Sequence, residues 1–179
     1  LQSGYKDGDV MLTDPQGRIV YVYNPEHKSE IGNFISDKEN VLQKTETGVY
    51  LSDIHKTFHK EHPYTIYLAG LIYNVKGEAI GLMHMEIDMS GVFKFINDNS
   101  GREGSFESLL VKKVPDNKVI FISPLKFDPG AILTKTVIIG SSEALPAQKA
   151  VLGESGSGAS IDYRGEEVLS AWRPIPALG

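Results

Sequence analysis

Three of the five histidines fall in the stretch SDIHKTFHKEHPY, Ser52 to Tyr64, at positions 55, 59 and 62. On a helix that spacing would set His55, His59 and His62 on one face. With Asp53 beside them, imidazoles so arranged could ligate zinc or nickel, or register pH, since histidine titrates near neutrality. Lys56, Lys60 and Glu61 interleave the histidines, however, and Pro63 limits any helix. A metal set, a loop beside a ligand and a solvated surface are therefore all open. The stretch is read here as a loop over a binding pocket, with no metal or other cofactor assigned.

A second group lies in the run from Glu78 to Asp88. Period-2 alternation puts Leu82, His84 and Glu86 on one face of a strand and Met83, Met85 and Ile87 on the other. One face is expected to line a cavity and the other to pack on a helix. Tyr50, Asp53, His55, Tyr67, Tyr73, His84 and Glu86 form the candidate set converging on a small ligand. The competing reading makes the tyrosines amphipathic core residues with their hydroxyls at the edge.

Other motifs carry less. GESGSG, Gly153 to Gly158, is neither GxGxxG nor GxSxG, because Ser157 stands at the last glycine position. It reads as a flexible turn; a serine hydrolase built on Ser155 and a histidine is the enzymatic alternative. KDGD, Lys6 to Asp9, has too few acids for an EF-hand loop. DYRG, Asp162 to Gly165, is a turn signal, and Trp172 and Arg173 are expected to pack across the last hairpin.

The elements that must position these groups belong to a chain of 179 residues, enough for one ordinary domain or two small ones. A net charge of −5 without basic clusters excludes nucleic acid as a partner. The absence of cysteine removes disulfides and thiolate chemistry. The longest uncharged run, PYTIYLAGLIYNV, is shorter than the ~20 residues that cross a bilayer.

The chain echoes itself. DPQGRIVYV from Asp14 matches VPDNKVIFI from Val114, and NVKGEAIGL from Asn74 matches DYRGEEVLS from Asp162. Each is a turn signal entering a strand. Two echoes in the same order point to two copies of one β-rich module, the second shorter in its middle by about a dozen residues. In the first copy, strands are predicted at Val10–Thr13, Ile19–Tyr23, Val49–Ser52, Thr65–Tyr73 and Glu78–Asp88, followed by a helix at Ser90–Ile96 with Ser90 as N-cap. In the second, they are predicted at Ser105–Val114, Lys118–Ser123, Ala159–Tyr163 and Glu167–Pro174, with a short helix at Leu145–Leu152. NDNSGRE, from Asn97, marks the boundary, giving modules 1–98 and 99–179.

LTDPQGRIVY resembles the opening hairpin of Cache sensor modules. AGLIYNVKGEAIGLMHMEIDMSGV resembles their fourth and fifth strands and exit helix, and GESGSGASIDYRGEEVLSAWRPIPALG resembles the membrane-proximal module of double-Cache receptors. The resemblance implies an α+β fold of two tandem PAS-like (Cache) modules, each a central antiparallel sheet flanked by short helices and loops. It also implies a non-enzymatic, extracytoplasmic sensor of a bacterial or archaeal transmembrane receptor, histidine-kinase type or chemoreceptor. The first module would be membrane-distal and bind a small solute. The implied partners are flanking transmembrane helices and a second copy in a homodimer, with a long N-terminal helix backing both modules. The second module is expected to end before its final strand. Glu86 falls where amino-acid-binding members place the acid that holds an amine. Their upstream arginine and Trp-Tyr pair have no counterpart, since the only tryptophan is Trp172. A partner-protein-binding domain without a small ligand is the remaining alternative.

Overall fold

The computed structural model describes residues 9–57, 63–98, 104 and 106–175. The chain divides into two compact units, 1–92 and 93–179. The division falls within a helix, a few residues before the boundary predicted from NDNSGRE.

Short β-branched and aromatic runs interrupted by Asx-Gly turns dictate the first unit. Strands β1 (Val10–Thr13) and β2 (Ile19–Val22) form the opening hairpin. A 3-10 helix, Pro25–Glu30, and helix α1, Lys38–Thr45, make the excursion that follows. Two-residue strands β3 (Tyr50–Leu51) and β4 (His55–Lys56) then lead into the long hairpin of β5 (Tyr64–Tyr73) and β6 (Ala79–Asp88). The sheet is antiparallel, in order β2-β1-β6-β5-β3, with β4 also on β5. Helix α2, Ser90–Ile96, leaves it. Ser90 is the first helical residue rather than the cap, and the Asp88 carboxylate accepts its N–H at 3.1 Å and its O–H at 2.9 Å.

Three hairpins share one turn. Asp14, Asn74 and Asp162 each accept, on one side-chain oxygen, the N–H groups two and four residues on: Gln16 and Arg18, Lys76 and Glu78, Arg164 and Glu166. In each turn the third residue after the Asx is a glycine with φ near +80° (Gly17, Gly77, Gly165), a backbone region that a Cβ disfavours. This is the physical content of the NVKG/DYRG echo. The PDN turn solves the same loop differently, with Asp116 and Asn117 both at positive φ.

Alternation divides the sheet into two faces. On the inner face Met11, Ile19, Val22, Ala69 and Leu82 pack with Ile35 of the excursion and Val41 of α1, and Tyr50 borders them. The outer face carries Val10, Leu12, Leu68, Met83, Met85 and Ile87, several of them half exposed.

In the second unit β7 (Val111–Val114), β8 (Lys118–Phe121) and β9 (Thr136–Ile138) form one sheet, and β10 (Gly156–Ile161) and β11 (Glu167–Trp172) form another. The four strands predicted for this module thus fall in two antiparallel ladders, and β9 was not foreseen, since TVI is too short to show a period. Helix α3, Leu145–Val151, packs on both ladders. The core centres on Val119, Phe121, Leu125, Val137, Ala147 and Tyr163. GESGSG is not a flexible turn: from Gly156 it is strand, and Gly156 lies against the Trp172 ring. Trp172 therefore packs across the last hairpin, as expected.

Gly81 of β6 runs so close to β1 that a Cβ there would collide with the Thr13 carbonyl oxygen. Gly81→Ala should therefore destabilise the first unit by about 2–3 kcal/mol through forced separation of β1 and β6. Urea denaturation of the variant beside the parent measures it.

Candidate functional site

The inner face of the first sheet has an apolar half and a polar half. The register produces both. Ala69 pairs with His84 and His84 with Met11; one row along, Tyr67 pairs with Glu86, whose N–H donates to the Asp9 carbonyl at 2.8 Å. The next row holds His55, Thr65 and Asp88. Leu82 and its neighbours thus seal the core, while Asp9, Tyr67, His84, Glu86 and His55 gather at the other end of the same face.

Aromatic contacts order the cluster. The His55 ring lies 4.1 Å from Tyr67, and Tyr67 lies 4.4 Å from His84. Both His55 ring nitrogens are engaged, one with the Asp53 carbonyl at 3.2 Å and one with the Thr65 hydroxyl at 3.1 Å. His84 is only 6% exposed, and its Nδ1 is buried with no hydrogen-bond partner among the described residues. Burial, reinforced by His55 and opposed by Asp9, lowers His84 to a pKa of about 4, so the ring is neutral at ordinary pH. The Tyr67 phenol is pushed up to about 12 by burial and then by Glu86 and Glu30.

A buried polar contact fastens the excursion over this face. His27 of the 3-10 helix sits 2.5 Å from the Asp9 carboxylate and 3.7 Å from Glu30. Asp9 also accepts the Asn24 N–H at 3.1 Å. Both Asp9 and His27 are buried. Removing either side chain leaves the other buried without this contact, which costs about 1–3 kcal/mol.

Of the seven candidate residues, five share the face: Tyr50, His55, Tyr67, His84 and Glu86. Tyr50 packs into the core margin. Tyr73 does not join them. It is 57% exposed beyond a bulge near the far end of β5, roughly 20 Å from Tyr67 at 3.4 Å per residue. Asp53 is exposed and reaches the group through its backbone carbonyl. His55 lies in a strand, so the helical face drawn through His55, His59 and His62 does not begin there. His59 and His62 lie outside the described residues, within which no group of three His, Asp or Glu side chains is placed to hold a metal.

Sequence reasoning missed Asp9, His27 and Glu30. Extending the period-2 pattern of β1 backwards from Thr13 and Met11 would have put Asp9 on the inner face. His27 had no such signal, because a 3-10 helix places it.

The second unit holds a different arrangement. A cleft of about 310 Å³ lies between Phe106, Glu107, Pro124, Leu125, Lys126 and Pro129. Its carboxylate is already committed: Glu107 accepts the Lys126 N–H at 2.6 Å and the Tyr163 O–H at 2.8 Å. Burial, then that bond, pushes the Tyr163 phenol up. Ser155 is exposed and has no hydrogen-bonded base among the described residues.

The fold is α+β and PAS-like. No family model and no curated protein matches the chain. Among solved structures it is similar to an extracellular ligand binding receptor from Desulfohalobium retbaense, with 19% identity and a TM-score of 0.58 over 90% of this chain and 26% of that one. It is also similar to the periplasmic sensory domain of the Campylobacter jejuni chemoreceptor Tlp1, with 15% identity and a TM-score of 0.57 over 95% of this chain and 67% of that one. The chain therefore spans about a quarter of the first protein's length and two thirds of the second's. At these identities the likeness is one of fold.

The neutral burial of His84 has a pH signature. The unfolded ring binds a proton near pH 6.5, the folded ring only near 4, so acidification between these values favours the unfolded chain. This histidine should cost about 3 kcal/mol of stability as pH falls from 6.5 to 4, with no further loss below. In His84→Gln the slope of stability against pH over that window should be visibly flatter, as read by urea midpoints at half-unit intervals.

Proposed function

We propose that this chain is the ligand-sensing region of an extracytoplasmic transmembrane receptor of the double-Cache type. The first unit is the membrane-distal module and binds a small solute on the polar half of its inner sheet face. The second unit is the membrane-proximal module and passes the signal toward the membrane, to a histidine kinase or chemotaxis output. The observation that carries this reading is the set of unspent polar groups at one end of that face. His84 holds a buried ring nitrogen without a partner, and the half-buried Glu86 carboxylate makes no hydrogen bond or ion pair among the described residues. Leaving a buried polar atom unsatisfied costs about 1–3 kcal/mol, a cost that a bound ligand would remove.

Two features agree with the rest of the proposal. The half-exposed apolar outer face of the sheet gives a seat for the backing helix that the Cache resemblance implies, and through it for a homodimer. The shared fold of the Desulfohalobium receptor and the Campylobacter sensory domain supports placing the chain outside the cytoplasmic membrane. A solute that binds there can bias the receptor only as far as its affinities for two states differ.

A thermal-shift screen of the purified chain tests the assignment, using amines, amino acids, carboxylates, sugars and divalent metals. A ligand at 100 times its Kd adds about 2.7 kcal/mol, or roughly 5–10 °C for a chain of this size. One organic class should give such a shift, and Tyr67→Ala should abolish it. A shift that survives Tyr67→Ala but disappears on Glu107→Ala would move the binding site to the second unit.

A further inference from the structure

The run from β3 to β4 carries one residue more than its partner strand, and the excess decides which side chain joins Tyr67. β3 pairs with β5 as far as Leu51 opposite Leu68, and β4 resumes with His55 opposite Thr65. Three residues, Ser52 to Ile54, therefore stand across from two, Ile66 and Tyr67. An extra residue of this kind is a β-bulge, and it exchanges the faces of everything beyond it. Regular alternation from Tyr50, on the inner face, would turn Lys56 inward and His55 outward. The bulge does the opposite. His55 is half-buried with its ring 4.1 Å from Tyr67, and Lys56 is exposed. An imidazole thereby takes the place of an ammonium group beside Tyr67.

Ser52 holds the bulge. Its N–H donates to the Tyr67 carbonyl at 2.8 Å, as in a regular ladder. The return bond goes to its side chain: the Ser52 hydroxyl accepts the Tyr67 N–H at 2.7 Å. The same hydroxyl donates to the Asp53 carbonyl at 2.8 Å. A side chain thus stands in for main chain at the one point where the strands lose register. The Asp53 carbonyl it engages is the group that meets His55 Nδ1 at 3.2 Å.

That contact fixes the tautomer of the ring. A carbonyl oxygen only accepts, so His55 Nδ1 carries the hydrogen. In the neutral ring Nε2 is then the acceptor, 3.1 Å from the Thr65 hydroxyl that donates to it. Both nitrogens are spent within the chain, and what His55 presents to a solute is the face of its ring. We infer that Ser52 is the positioning residue of the first-unit site: its bulge turns His55 inward and holds it as the Nδ1–H tautomer, an aromatic wall rather than a nitrogen ligand. The inference rests on reading this half of the face as a binding site.

Nitrogen-15 correlation spectra of the histidine rings in the purified chain, recorded at about pH 8 where an ordinary imidazole is neutral, test it. His55 should appear as the Nδ1–H tautomer alone, with Overhauser contacts to the Tyr67 ring. Ser52→Ala should lose both, giving a mixture of tautomers, and Ser52→Thr, which keeps the hydroxyl, should retain both. If Ser52→Ala does not fold, Ser52→Cys decides, since a thiol is a weak acceptor and should also lower the Nδ1–H fraction. Zn²⁺ alone, added to the parent, should leave both His55 nitrogen signals in place. An Nε2–H ring in the parent would overturn the inference, as would a tautomer indifferent to loss of the Ser52 hydroxyl or a His55 nitrogen that moves with Zn²⁺. None of these readouts needs a solute. A solute screen that finds nothing would therefore count against the binding site and leave the Ser52 bulge standing. A solute bound beside an Nε2–H His55 would do the reverse.

Discussion

The register of the β5–β6 hairpin governs everything that the first unit does. A strand side chain has only two choices of face, and a shift of one residue exchanges them all. The register is held at one end by the Asn74 turn, whose side-chain oxygen takes two backbone N–H groups and whose Gly77 supplies the positive φ. From that anchor, Leu71 and Leu82, Ala69 and His84, and Tyr67 and Glu86 follow as successive inner-face pairs. The apolar pairs lie nearest the turn and the polar pairs farthest from it. A core and a candidate binding surface thus share one continuous face, and the boundary between them is a matter of sequence position alone.

The excursion between β2 and β3 completes both halves. Ile35 and Val41 cover the apolar end, while His27 reaches Asp9 at the polar end. The two contacts differ in kind. Burying Ile35 and Val41 is favourable wherever water is excluded. The His27–Asp9 pair is favourable only while both partners are present, so it ties the placement of the 3-10 helix to the strand that begins the sheet. The Asp9 main chain also holds the Glu86 strand in place, since its carbonyl accepts the Glu86 N–H.

Much of this architecture was legible in the residues. Asx-Gly turns between β-branched runs announced the hairpins, and alternation alone put Leu82, His84 and Glu86 together. Tyr67 and Tyr50 joined them because antiparallel pairing carries one strand's parity to the next. Tyr73 was misplaced because a bulge near the strand end interrupts that parity, and a bulge leaves no mark in a periodic pattern. His55 was expected in a loop, because a two-residue strand is too short to declare its own period. Asp9 and His27 escaped notice since their pairing depends on tertiary placement of a 3-10 turn. In the second unit the Glu107–Tyr163 bond joins residues far apart in sequence, and only the folded core brings them together.

The central claim is that ligand binding takes place on the polar half of the first sheet's inner face. Nuclear magnetic resonance of the histidine rings examines that claim most directly, since His55 and His84 flank Tyr67 and the second unit contains no histidine. Ring resonances of isotope-labelled histidine would be followed while a mixed library of small solutes is added. The account predicts that the His84 and His55 signals move together and saturably, while the backbone amides around Glu107 and Lys126 stay in place. Saturable shifts confined to those second-unit amides, with both imidazoles unmoved, would contradict it.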